Sequence, residues 1–262
     1  SSCELAMAVP RQATMGGLLQ EAGYKLPDPF SFEGGQVWQV AGNDSQALVV
    51  HLQPGQEVMC EPGAMLSQAD GLTPEVDSGG YGLAIQRACC ANESCFRMHY
   101  KNETQQPKHI VLSPTFPGKI VPLNMDDHPA GFRLSRGAWM AAIGRDAEFG
   151  VETAPSVAAG FCADEGCCMT TFTGKGMSWI NGGGTVLMRR LEQNETITVD
   201  TEAVLAWEQT VKLSVKCTGG CMMMCFGGSG LYNTELTGPG LVFVHSMSVS
   251  RAKRGYAATV QK

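Results

Sequence analysis

From position 37 onward apolar residues arrive in short runs, many alternating with polar ones, and glycine or proline cuts each run off within a few residues. A period of two places alternate side chains on opposite faces of an extended chain, so these runs predict strands rather than helices. The predicted strands cover 46–52, 57–61, 110–112, 119–123, 139–143, 185–191, 196–200, 203–207, 211–216, 221–226 and 241–245. Between them stand turn signals such as Pro54-Gly55, Pro62-Gly63, Pro117-Gly118, Gly182-Gly183-Gly184 and Gly238-Pro239-Gly240. Residues 1–35 read differently. Thr14 is placed to cap a short helix through Leu18, Leu19 and Ala22 that Gly23 ends, and Pro27, Pro29, Gly34 and Gly35 then make an irregular linker. This stretch predicts an N-terminal arm. At the other end Arg251, Lys253, Arg254 and Lys262 form a small basic tail, expected to be solvated.

The strand pattern repeats. Residues 54–66 give a turn, an alternating strand, a second turn and an apolar strand; 117–123 followed by 138–142 give the same plan with a longer insertion; 194–206 give it compactly. A second set of similar segments, 93–100, 165–176 and 230–240, falls between these. Three units follow, each a β layer too thin to bury its own apolar face, so they are expected to pack side by side.

Composition adds three constraints. The chain has 262 residues, 44% of them apolar and 17% charged, which is enough to build a sizeable core. Its 32 Gly and 13 Pro interrupt it too often for long helices. Its net charge of −6 disfavours sequence-independent binding to nucleic acid phosphates. No apolar run reaches the roughly 18 to 20 residues that span a bilayer, so membrane contact is expected to be peripheral. The start at Ser1-Ser2-Cys3 reads as a processed or trimmed chain, as organelle import would leave it. The 11 Cys are an odd number and too few for a disulfide scaffold, which points to a mostly reduced compartment. Sequons at Asn43, Asn92, Asn102 and Asn194 would matter only on the secretory route.

A series of motifs then runs in order along the chain: Leu48-x-Val50, Pro54-Gly55-x-Glu57, Glu61-Pro62-Gly63-Ala64-Met65, Gly79-Gly80, Pro117-Gly118-x-Ile120, Gly174-x-Gly176, Glu195-x-Ile197-x-Val199-Asp200 and Gly238-Pro239-Gly240-x-Val242. Over about residues 33 to 249 this order resembles the altered-inheritance-of-mitochondria β family, whose members are similar in fold to the tryptophan RNA-binding attenuation protein. The resemblance implies an all-β chain of three double-layered antiparallel repeats, double-stranded β-helix-like, packed with pseudo-threefold symmetry like neighbouring subunits of that ring-forming protein. The division expected is an arm over 1–35, the triple-repeat domain over 36–250 and the basic tail over 251–262. It brings an association with mitochondrial organisation and no catalytic residues. The stretch from Cys89 to Cys95 and the Cys and Met load depart from the family pattern.

The candidate chemistry is sparse. Cys217, Cys221 and Cys225 are the metal-ligand candidates, but in a strand Cys221 and Cys225 would stand about 13 Å apart, and neither a zinc nor an iron–sulfur spacing is complete. Each repeat carries a cysteine cluster (89, 90, 95; 162, 167, 168; 217, 221, 225), and buried reduced thiols are the plainer reading. The five His include no His-x-His pair for a cupin-like metal site. Asp126-Asp127-His128-Pro129 suits an exposed turn, and Gly174-Lys175-Gly176 and Gly182–Gly184 read as turn glycines without phosphate-loop spacing. Arg189-Arg190 is the one adjacent basic pair of the β body, and in a strand only one of the two can face a given surface.

These readings converge on a protein without catalytic residues, cofactor or metal. The expected role is a structural or accessory subunit of an organelle, mitochondrion or plastid, docking peripherally as scaffold or assembly factor on a respiratory or photosynthetic membrane complex through its β faces. The partners expected are protein subunits and no nucleic acid. A Cys-based metal or redox module is the alternative, and an RNA- or ligand-binding protein of the same fold a weaker one.

Overall fold

The alternation seen in the sequence becomes alternation of burial, as in β1 (Trp38–Ala41), whose Trp38 and Val40 are buried while Gln39 and Ala41 face solvent. The computed structural model describes residues 38–77, 96–153, 168–217 and 232–260. After β1 come β2 (Ala47–Leu52), β3 (Glu57–Cys60), β4 (Met65–Gln68), β5 (Leu72–Asp77), β6 (Arg97–Asn102) and β7 (Lys108–Leu112). The next six are β8 (Gly118–Asn124), β9 (Phe132–Leu134), β10 (Trp139–Ile143), β11 (Glu148–Thr153), β12 (Cys168–Thr173) and β13 (Met177–Gly183). The last six are β14 (Val186–Leu191), β15 (Thr196–Asp200), β16 (Val204–Glu208), β17 (Lys212–Cys217), β18 (Tyr232–Thr237) and β19 (Gly240–His245), followed by helix α1 (Val249–Val260). The described residues are thus all-β apart from that helix and short 3-10 turns.

Every pairing is antiparallel, and each group of six obeys one rule: its first and third strands pair with its sixth, and its second and fourth with its fifth. The third strand of each group carries a register shift at the same step, Met65/Ser67, Trp139/Ala141 and Val204/Ala206. By these partners β8 is the counterpart of β2 and β14. The alignment of 117–123 with 54–60 drawn from the sequence is therefore corrected, because Pro-Gly precedes the second strand in the first group but the first strand in the second group.

Groups are joined by one further pairing, the second strand of one against the third of the next. In β3–β10, Cys60 faces Ala141 and Met59 faces Ala142; in β9–β16, Leu134 faces Ala206 and Arg133 faces Trp207. The same two hydrogen bonds close both seams. Glu61 N–H donates to Met140 O (2.9 Å) and Gly144 N–H to Glu57 O (2.9 Å) in the first; Ser135 N–H donates to Leu205 O (2.9 Å) and Gln209 N–H to Gly131 O (3.0 Å) in the second. Two six-stranded sheets result, β5-β6-β3-β10-β13-β8 and β11-β12-β9-β16-β19-β14. Half-sheets remain at either end: β1-β2-β7-β4 and β15-β18-β17.

The core follows the same division into three clusters: one around Trp38, Leu48 and Trp179, one around Phe132, Trp139, Phe172 and Phe243, one around Trp207, Val211 and Leu236. Each contains side chains from neighbouring groups. Trp179 of β13 packs edge-on against Trp38 of β1 with ring centroids 5.6 Å apart, so the first group's core is completed by the second.

Two local expectations change. Gly182 and Gly183 lie inside β13 rather than in a turn, and a Cβ on Gly183 would meet Met247 O at 2.1 Å, so glycine there admits a passing chain; only Gly184, with φ +67°, turns. The segment read as a solvated basic tail is helical, and Arg251 and Arg254 reach Asp200 and Glu202. The strand expected over 221–226 and the helix expected over 14–22 lie outside the described residues.

Candidate functional site

A cleft of about 240 Å³ opens where β13 and β19 meet the start of α1. Ser135, Arg136, Asn181, His245 and Lys253 line it with Phe116. His245 is half-buried there and both its nitrogens are used: Gly183 N–H donates to Nδ1 (3.3 Å), and Nε2 faces Glu202 O at 3.1 Å. An acceptor at Nδ1 and a donor at Nε2 define a neutral tautomer. Burial holds the imidazole below its usual range, the Arg251 charge pushes the same way, and the Glu202 carbonyl opposes them. A ring so engaged is a structural joint, not a free base or metal ligand.

The junction between the first and second groups holds a buried ion. Arg97 pairs with Glu61 (2.7 Å), and its guanidinium lies 4.6 Å from the ring centres of both Trp139 and Phe149. Arginine suits such a site because its flat, weakly hydrated cation stacks on aromatic faces. Two residues along β6, on the same face as Arg97, His99 is buried with Glu57 and Asp77 oxygens 4.0 and 3.8 Å from its two nitrogens. Burial lowers its pKa first and Arg145 second, against the pull of Glu57, Asp77 and Glu75. Arg145 also bonds Glu57 (2.6 Å) and Glu75 (2.5 Å), so these acids are already matched to a cation. The second junction has its own pair, His128 Nδ1 with Glu208 at 2.5 Å. Glu208 also accepts Leu241 N–H (2.8 Å); burial raises its pKa, and these two bonds outweigh it, leaving the carboxyl below its ordinary value.

The sequence candidates fare unevenly. Cys217 ends β17 opposite Tyr232, while Cys221 and Cys225 lie outside the described residues. Among the described residues no group of three His, Cys, Asp or Glu is placed to hold a metal ion. Cys60 is a buried thiol whose pKa burial, and then Glu61, push up to about 12, the opposite of a reactive thiolate. The acidic run before Pro129 does form a short 3-10 turn, Met125–Asp127, but His128 is drawn inward to Glu208 instead of facing solvent. Arg189 pairs with Glu195 (2.6 Å) and Arg190 stands 4.0 Å from Glu208, so neither offers phosphate an unopposed cation. Asn102 of the sequons is fully buried and donates to Leu52 O and Gln106 O at 2.8 Å.

What sequence reasoning missed is backbone rather than side chain. Among the described residues β4 pairs only with β7 and β15 only with β18, each on one edge. All four residues of β4 are exposed, Leu66 at 64% and Met65 at 40%, whereas the equivalent β10 and β16 are buried through their first four positions. An unpaired strand edge with exposed apolar side chains is a template for another strand.

Comparison with known proteins gives a consistent placement. A family profile described as mitochondrial biogenesis AIM24 matches residues 38–247. An uncharacterized protein of Streptococcus pyogenes serotype M6 is 26% identical over 220 residues, covering 81% of this chain and 84% of its own. A crystal structure of a Streptococcus pyogenes protein superposes with a TM-score of 0.64 at 23% identity, covering 86% of this chain and 97% of that one, a likeness of fold.

Proposed function

The chain belongs to the mitochondrial biogenesis AIM24 family, the family its motif order resembles, and from that premise we propose that it is a non-enzymatic scaffold or assembly protein that binds other proteins through its sheet edges. The observation that carries this reading is the pair of half-sheets whose outer edges, among the described residues, pair with no other strand and whose Met65-Leu66 pair is exposed. Arg97, His128 and His245 are engaged by partners inside the fold, and His99 is buried beneath Glu57 and Asp77, so the sheet edges are the surfaces best placed for recognition. We read the three six-strand groups as three repeats set side by side, like neighbouring subunits of the tryptophan RNA-binding attenuation protein, with two closed seams and two open ends rather than a closed pseudo-threefold ring. The setting we attach to the scaffold is a peripheral one, on a membrane complex of a mitochondrion or plastid. Two things support a peripheral mode: among the described residues no helix is long and apolar enough to cross a membrane, and flat sheet edges suit protein contact. Because a similar protein occurs in Streptococcus pyogenes, the scaffold reading does not depend on an organelle.

Co-purification from the native source tests this. Gentle detergent extraction is expected to bring out the protein with neighbouring subunits, and Leu66→Asp to lose them. A protein that emerges alone, with the variant behaving identically, overturns the reading.

A further inference from the structure

The two end half-sheets are complementary parts of a sheet that this molecule completes twice internally. In each six-stranded sheet, a second-fourth-fifth strand set from one group meets a third-sixth-first set from the next. The C-terminal half-sheet β15-β18-β17 is a set of the first kind without its neighbour, and β2-β7-β4 is a set of the second kind without its own. Within one chain β15 and β4 are not paired. We propose that they pair between chains: β15 of one copy docks antiparallel on β4 of a second copy and completes a third six-stranded sheet. This rests on the reading of the open edges as docking surfaces and names their occupant.

The internal seams dictate the register. Cys60 opposite Ala141 and Met59 opposite Ala142 translate into Val199 opposite Ser67 and Thr198 opposite Gln68. The two closing bonds become Asp200 N–H to Leu66 O and Asp70 N–H to Thr196 O, counterparts of Glu61 to Met140 and Gly144 to Glu57. The peptide groups are free for this. Ala69 N–H donates inward to His109 O, which turns the peptide groups of Gln68 outward; Leu66 lies in the bulge, where its counterpart Met140 presents its carbonyl across the seam to Glu61 N–H. Gly238 N–H donates to Glu195 O, which likewise turns those of Thr196, Thr198 and Asp200 outward.

Side chains agree. Met65 and Leu66 stand where Trp139 and Met140, and Val204 and Leu205, are covered to 2% exposure or less by the adjoining group. The other sheet edges carry the residues that block strand addition: Pro74, Glu75 and Asp77 in β5, Lys119 and Pro122 in β8, Glu148 and Glu152 in β11, Arg189 and Arg190 in β14, Lys212 and Lys216 in β17. β4 has no proline and no charge, and β15 has only its terminal Asp200. β1 is also uncharged, but no internal seam supplies it with a complementary half. The contact is head-to-tail, so it propagates into a ring or a filament of copies.

Mass measurement on the purified full chain across a concentration series tests the proposal through complementation. Gln68→Pro removes an outward N–H from β4, and Thr198→Pro removes one from β15. The wild type is expected to gain mass with concentration. Each variant alone is expected to stay at the 27.9 kDa of one chain, since each keeps only one working edge. Their mixture is expected to form a heterodimer and nothing larger. Circular dichroism checks that each variant folds, and Leu66→Arg replaces Gln68→Pro if the proline does not. A wild type monomeric at every concentration, an assembly indifferent to both prolines, or a mixture that stays monomeric each overturns the proposal. A monomeric wild type whose edge variants still lose co-purifying subunits refutes self-pairing alone and leaves the scaffold reading standing. Edge variants that change neither mass nor co-purification refute both.

Discussion

Strands β10 and β4 hold the same place in their groups and carry the same bulge, yet one is buried and the other exposed. β10, Trp-Met-Ala-Ala-Ile, is inaccessible along its first four residues; β4, Met-Leu-Ser-Gln, is exposed along all of its length. Pairing on the sixth strand of the group is common to both. The difference is the neighbouring group, which closes β10 on its second edge. Burial in this fold is therefore conferred between groups more than within them, and each group alone would expose a wide apolar face.

Substitution at matched positions is the sharpest way to break the comparison. Met140→Asp places an unpartnered carboxylate in the covered strand and is expected to cost about 4 kcal/mol or more, enough to threaten folding of the chain; denaturant titration reads it. Arg97→Met at the same junction takes the cation away from Glu61 and from the Trp139 and Phe149 rings, with an expected loss of about 3 kcal/mol. The double change with Glu61→Leu should recover part of that loss, since a matched apolar pair removes the orphaned charge.

Acid titration is a gentler probe of the interior. His245 and His99 both have folded pKa values depressed below 6.5, so the unfolded chain takes up protons first as pH falls. The unfolded state then binds more protons, and stability falls as pH drops below about 6.5, levelling off only below the folded values. Melting temperatures at a series of pH values should show this slope, and His245→Gln should flatten its share. The smallest expected effect is at the open edge: Leu66→Asp, at the position matched to Met140, should change the stability of dilute protein by no more than about 0.5 kcal/mol. A large loss there would mean that β4 is covered within its own chain.

Much of the architecture was readable from the chain because hydrophobic alternation and turn residues agree locally. β3, β10, β14, β16 and β19 fall close to their expected places, and the segments 93–100, 165–176 and 230–240 overlap β6, β12 and β18, the fifth strands of their groups. Other elements had no local signal. β9 is three residues long, and β5 contains Pro74, which the alternation rule discounts but an edge strand accepts. The site was less legible still. His128 meets Glu208 across 80 positions, and Arg97 finds Trp139 only when two groups dock. Gly182 and Gly183 looked like part of a turn because the sequence cannot show a chain crossing above them. The open edges of β4 and β15 were invisible for a related reason: an unpaired strand is recognised only against a list of the paired ones.

The hydrogen bonds that close each seam run between main-chain atoms, Glu61 to Met140 in one and Ser135 to Leu205 in the other, with unlike side chains at both ends. Stitching of that kind is nearly blind to residue identity. Lineages of such a protein can drift far in composition while keeping interchangeable ends, and a diverged sister chain could lock onto this one as readily as its own twin.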